Sequence, residues 1–124
     1  MIIWLTGNTE SGKTSISKQI QKLYDNCIIL DGDDMRQSIS RGLTLSKRDR
    51  IENNIRIAHL AKTLHNQKFN IVIASIAPFQ EGRDKVDKII DVKWIYIEGG
   101  KIGIEYPYEI GNYQKFESIE KLRK

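Results

Sequence analysis

Eight residues near the start of the chain, Gly7-Asn8-Thr9-Glu10-Ser11-Gly12-Lys13-Thr14, constrain the fold more than any others. Their G-x-x-x-x-G-K-T spacing follows the apolar run Ile2-Ile3-Trp4-Leu5. It precedes a stretch, Thr14 to Tyr24, in which Ile16, Ile20 and Leu23 recur on one helical face. A strand, a glycine-rich loop and a helix in that order form a polyphosphate cradle. The glycines permit backbone geometries that turn successive N–H groups inward, and the helix N-terminus adds positive potential. In such a cradle Gly7 to Thr14 hold the phosphates of a nucleoside triphosphate such as ATP, Lys13 reaches the β- and γ-phosphates, and Thr14 ligates magnesium. A glycine-rich turn with a solvated lysine is the plain alternative, and the flanking strand and helix argue against it.

The rest of the chain repeats the alternation. Cys27 to Leu30 reads as a second strand, after which Asp33 is expected to cap a short helix reaching about Ser40. Ser46 then caps a long helix over Lys47 to Gln67. Ile71-Val72-Ile73-Ala74 is a third strand, Glu81 to Ile90 a helix, and Val92 to Ile97 a fourth strand. Near-continuous apolar strands separated by helices predict a three-layer α/β fold: a parallel sheet of about four strands with helices on both faces. A C-terminal amphipathic helix is expected over Lys115 to Lys124 through Phe116, Ile119 and Leu122. With 124 residues and no repeat or low-complexity tract, the reading is one domain over 1–124.

The formal net charge of +4 is spread among alternating signs, which suits a phosphate-bearing small molecule better than a nucleic acid duplex. No interleaving of aromatic and basic residues resembles a stacking platform for single strands. The lone Cys27 fits a reducing cytoplasm, and the N-terminal apolar run is too short for a membrane span. His59 and His65 lack a carboxylate at a convincing spacing and read as structural. Trp4 and Trp94 read as core.

A phosphate loop does not by itself separate a kinase from an ATPase, so the remaining polar residues carry the argument. Asp31-Gly32-Asp33-Asp34-Met35-Arg36 follows the second strand, placing carboxylates at the carboxyl edge of the sheet, where open α/β folds bind ligands. Asp33 and Arg36, three apart on a helix, set a base or metal partner beside a cation. Arg50 and Asn53 fall on the stripe continued by Ile57, Leu60 and Leu64, and a polar pair on an inward face is costly unless a ligand meets it. Ser75, Ile76 and Phe79 end the third strand at the same edge, where Phe79 is placed to pack on a planar base.

Together these residues resemble the adenylylsulfate kinase family, over Ile2 to about Ile97. The shared pattern includes the phosphate loop, Asp31-Gly32-Asp33 with Arg36, Asp49-Arg50-Ile51-Glu52-Asn53 followed by Ala61-Lys62, and Ser75-Ile76-Ala77-Pro78-Phe79 with Arg83. The resemblance implies transfer of the γ-phosphate of MgATP to the 3′-hydroxyl of adenosine 5′-phosphosulfate. It also implies that Asp33 is base and metal partner, that Arg36, Arg50 and Asn53 line the acceptor pocket, and that the protein forms a homodimer. Two features depart from the family. Leu45 stands where the family has an aromatic that stacks on adenine. Ile97-Glu98-Gly99-Gly100-Lys101 runs almost directly into Ile102-Gly103-Ile104-Glu105-Tyr106-Pro107-Tyr108-Glu109, which is similar to the family segment just beyond a basic mobile lid. Such a lid excludes water and supplies cations, so its loss is expected to weaken catalysis more than binding. Two other readings therefore stand beside the first: a kinase for another nucleotide-like acceptor, such as a cytidine diphosphate derivative, and a nucleotide-binding protein with little activity.

Overall fold

The structure is a computed structural model and describes residues 1–122. Its centre is a parallel sheet of β1 (Ile2–Thr6), β2 (Cys27–Asp31), β3 (Asn70–Ala74), β4 (Lys93–Tyr96) and β5 (Gln114–Lys115), in the order β2-β3-β1-β4-β5. Every adjacent pair is parallel, with Trp4 opposite Ile73 on one side and Trp94 on the other. Parallel neighbours need crossover connections: the helices α1 (Lys13–Gln21), α2 (Gly32–Gln37), α3 (Lys47–Asn66) and α4 (Gln80–Asp87) lie in those from β1 to β4, whereas the connection from β4 to β5 carries no helix.

The period of two along the strands sorts the core into two layers. Ile2, Trp4, Ile71, Ile73 and Trp94 point to one face, where Ile57, Ala58 and Ala61 of α3 and Val86 of α4 cover them. Ile3, Leu5, Val72 and Ile95 point to the other, beneath Ile20 of α1 and Leu122 of α5 (Ile119–Leu122). Each fully buried isoleucine or leucine contributes about 2 kcal/mol of hydrophobic stabilisation. Trp4 and Trp94 are core, as expected, with their ring centroids 4.8 Å apart. Cys27 is half-buried against the second layer, which raises its thiol pKa through desolvation.

Three expectations are corrected. The sheet has five strands where about four were expected, because Gln114–Lys115 pairs with Ile95 and Tyr96. That strand takes Lys115 from the expected C-terminal helix, of which, among the described residues, Ile119–Leu122 is helical, while Phe116, Ile119 and Leu122 do pack on the second layer. The end of the expected helix, residues 123–124, lies outside the described residues. Finally, Asp31 and not Asp33 caps α2: its carboxylate accepts the Asp33 amide at 3.0 Å, so the helix begins at Gly32, before the expected cap.

The strand order places the loop after β1 at a crevice. The helix that follows β1 lies on one face and the helix that follows β3 on the other, so the two connections diverge at the carboxyl edge of adjacent strands. Ligands bind at such a switch point in open α/β sheets.

Candidate active site

The loop between β1 and α1 is pinned against the sheet. A Cβ on Gly7 would lie 2.4 Å from the Ile97 carbonyl oxygen, so only glycine lets the chain leave β1 so close to the end of β4. Lys13 opens α1, and its ammonium donates to the carbonyls of Gly7 (2.9 Å) and Asn8 (2.7 Å) and to Ser11 Oγ (3.3 Å). It is buried, and desolvation lowers its pKa from 10.5 to about 8 against the opposing pull of Asp31 and Asp33. The cation is thus poised in a poorly solvated place, where a polyphosphate would interact strongly with it.

A cavity of about 440 Å³ opens beside this loop. Thr9, Glu10, Gly12, Lys13 and Thr14 form its floor, while Asp33, Arg36, Arg50 and Asn53 stand around it. Ser75 and Ile76 complete a wall. Gly7, Asn8 and Ser11 lie behind the floor, where they hold Lys13. Phe79 is the exception among the expected residues. It stands outside the cavity under the Lys47 ammonium, 5.2 Å from its ring centroid, because α4 begins immediately after it and turns the side chain away from the sheet edge.

Each acceptor-side group has a local cause. Thr14 donates to Asp31 Oδ2 at 2.9 Å, and Asp31 Oδ1 caps α2, which carries Asp33 and Arg36 toward the cavity. Ser46 caps α3 by accepting the Asp49 amide at 3.1 Å, and Asp49 in return accepts from the Thr44 amide and hydroxyl, both at 2.7 Å. Those two bonds hold the Asp49 carboxyl below its ordinary range. The same loop presents the Leu45 carbonyl to Arg50 Nε at 2.7 Å, which orients the guanidinium. Burial, and secondarily the neighbouring Arg36 cation, depress the Arg50 pKa. Two cations in mutual repulsion mark a place for an anion.

Asn53 is 3% exposed and its Oδ1 has no hydrogen-bond partner. A buried amide oxygen of this kind is costly, and the cavity is the place from which a donor can reach it. Asn54 is also buried and lines the cavity; sequence reasoning passed over it, although its place beside Asn53 on a helix bounded by Ile51 and Ile57 was a signal. In the sequence Asp31 stands only as one member of a carboxylate cluster. Its capping role could not be told from that of Asp33. Among the described residues no cluster of three or more metal-ligating side chains exists. The Thr14 hydroxyl and the Asp31 and Asp33 carboxylates are hard oxygen donors that suit a cation sharing its coordination with phosphate oxygens and water.

A glycine-hinged cradle on a β1–α1 junction, with a buried lysine inside it and carboxylates facing it, is the arrangement of a P-loop protein. The model of the adenylylsulphate kinase family matches residues 1–110, and the chain belongs to that family. It is 33% identical over 93 residues to an adenylyl-sulfate kinase of Myxococcus xanthus, covering 73% of this chain and 50% of the relative. It is 38% identical to one of Bacillus velezensis, covering 72% and 47%. The chain spans about half the length of these curated relatives. A solved structure of a cysteine-to-alanine mutant of Mycobacterium tuberculosis APS kinase superposes with a TM-score of 0.78 at 26% identity, covering 98% of this chain and 90% of that one. The complex of the M. tuberculosis enzyme with AMPPNP and APS superposes at 0.70 with 29% identity, over 78% of this chain and 61% of that one. No helix among the described residues is long and apolar enough to cross a membrane.

Proposed function

We propose that the chain transfers the γ-phosphate of ATP to the 3′-hydroxyl of adenosine 5′-phosphosulfate. The observation that carries this reading is the buried Lys13 cradle facing, across one cavity, Asp33 and the Arg36, Arg50 and Asn53 group. A phosphate-binding protein without an acceptor has no use for the second half of that cavity. The family match and the APS-bound relative support the choice of acceptor.

The roles follow from position. The loop amides and Lys13 hold the donor phosphates, and on the donor's arrival the Lys13 ammonium exchanges the Gly7 and Asn8 carbonyls for phosphate oxygens. Arg36 and Arg50 bind the anionic portion of the acceptor, and Asn53 Oδ1 accepts from a donor on its nucleoside. Asp33 takes the proton of the acceptor hydroxyl as that oxygen bonds to the γ-phosphorus and the bond to the β–γ bridging oxygen breaks, releasing ADP. Thr14 and Asp33 would hold magnesium, with Asp31 orienting Thr14. When bound, the ion neutralises charge on the phosphate oxygens. Rate enhancement then rests on positioning and fixed charge.

A second reading has its own observation. Leu45 lines the cavity and is 67% exposed, so no ring stacks an acceptor base from that side. This favours an acceptor held through its anionic groups, including other nucleotide derivatives. A coupled ADP-release assay across candidate acceptors, with and without Asp33→Asn, tests both. Turnover specific to adenosine 5′-phosphosulfate, reduced at least about a hundredfold by Asp33→Asn at saturating donor, supports the first reading. Turnover only with another nucleotide supports the second, and none with any acceptor leaves a nucleotide binder.

A further inference from the structure

Four consecutive carbonyl oxygens beyond β3 are each taken by a donor from elsewhere in the chain. Ser75 O accepts from Trp4 Nε1 at 3.0 Å, Ile76 O from Thr6 Oγ1, Ala77 O from Arg83 Nη1 at 2.7 Å, and Pro78 O from the Glu109 amide at 2.7 Å. The same four residues line the cavity, and Ala77 lies at φ 46, in the left-handed region that a residue with a Cβ occupies only when its surroundings impose it. The strand has ended at Ala74, so no ladder shapes this wall. Its donors do.

Residues 106–113 supply or steady three of the four. Glu109 donates directly. Thr6 Oγ1 spends its hydrogen on Ile76 O, so in the 2.8 Å contact between Thr6 and Tyr108 the tyrosine is the donor. Arg83 is fully buried, also donates to Glu109 O and Gln80 Oε1, and lies 5.1 and 5.4 Å from the rings of Tyr108 and Tyr113. The wall in turn abuts the turn bearing Asp33: Ser75 Oγ lies 3.0 Å from where a Cβ on Gly32 would stand.

We propose that residues 106–113 brace the acceptor-side wall, with Tyr108 and Arg83 as positioning residues that set the shape of Ser75 to Pro78 and thereby the affinity for the acceptor, independently of the phosphate cradle. Neither Tyr108 nor Arg83 lines the cavity, so neither touches the substrate. The proposal rests on the phosphotransferase reading for its functional consequence, while the brace itself does not depend on which acceptor is bound.

The test uses Tyr108→Phe, which keeps the ring against Arg83 and removes only the donated hydrogen, together with Arg83→Lys. Titrations with adenosine 5′-phosphosulfate and with a non-hydrolysable ATP analogue are paired with amide hydrogen exchange in peptides covering residues 75–80 and 8–16. The expected result is faster exchange in 75–80 only, acceptor affinity weakened about fivefold in Tyr108→Phe and more in Arg83→Lys, and donor affinity within about twofold of the parent. If Arg83→Lys fails to fold, Tyr108→Phe alone decides. Unchanged exchange in 75–80, or donor and acceptor affinities falling together, overturns the brace. Faster exchange in 75–80 in a protein whose unsubstituted form binds no adenosine 5′-phosphosulfate supports the brace and overturns the choice of acceptor instead.

Discussion

Thr14 and Asp31 are joined by a 2.9 Å hydrogen bond from hydroxyl to carboxylate. The second oxygen of Asp31 accepts the Asp33 amide, so one side chain ties the first turn of α1 to the first turn of α2. The donor cradle and the proposed base are therefore held at a fixed offset by a single carboxylate, before any ligand arrives. Such preorganisation is what phosphoryl transfer requires of a protein that supplies little covalent chemistry.

Lys13 makes nucleotide affinity pH-dependent. Its pKa is lowered from 10.5 to about 8, chiefly by burial. A polyphosphate beside it favours the charged form and raises the pKa again, so binding near pH 8 takes up protons and affinity falls as pH rises beyond 8. Calorimetry in buffers of different ionisation enthalpy measures that uptake. The folding side has the opposite sign. Between about 8 and 10.5 the unfolded chain holds more protons at this lysine than the folded one, so the destabilisation from burying the cation is full below 8 and is relieved as pH rises through that window.

Asn53→Leu separates binding from folding. The Oδ1 atom it removes is buried and has no partner within the chain, so stability is expected to stay within about 1 kcal/mol of the parent or to rise. Acceptor KM is expected to increase about tenfold, from the loss of one buried hydrogen bond to the substrate. Thermal melts beside steady-state kinetics check both halves.

The exposed Leu45 offers a gain. Leu45→Phe restores a ring at the cavity rim where the family pattern carries an aromatic, and stacking is worth about 0.5–1.5 kcal/mol. Acceptor KM should fall two- to tenfold, with ATP KM unchanged. A nucleotide held only through its anionic groups would leave both constants where they are.

Gly100 sits at φ 81 with the phosphate loop directly against it: a Cβ there would lie 2.5 Å from Thr9 O and 3.0 Å from Ser11 N. Lys101, next in the chain, donates its amide to Thr9 O at 2.9 Å and pairs with Glu10 at 3.4 Å. Gly100→Ala must therefore push this turn off the loop. We expect a lower melting temperature and weaker nucleotide binding, whereas removing the solvent-screened Lys101–Glu10 pair should leave the melting temperature nearly unchanged.

Much of this was legible because the signals were local. The G-x-x-x-x-G-K-T spacing, the Ser46 cap and the Arg50, Asn53 and Ile57 stripe each state their own geometry, and the structure brings Lys13, Asp33, Arg36, Arg50, Asn53, Ser75 and Ile76 to one cavity. What was missed depended on distant partners. Asp31 and Asp33 are equivalent cap candidates until the end of β2 is fixed. Phe79 follows a strand like a cavity residue, yet the start of α4 turns it outward. Nothing near Arg83 in the sequence shows that it will be fully buried among carbonyls and rings from a segment more than twenty residues on. The two-residue β5 is too short to leave a pattern at all.

The central claim is that the β1–α1 loop grips a polyphosphate through Lys13 while Asp33 faces it. Titration of the protein with a non-hydrolysable ATP analogue, with and without magnesium and again with Lys13→Ala, tests this most directly. The account predicts magnesium-dependent binding that weakens at least about a hundredfold in Lys13→Ala. Absence of binding by the unsubstituted protein, or equal affinity in the two proteins, would contradict it.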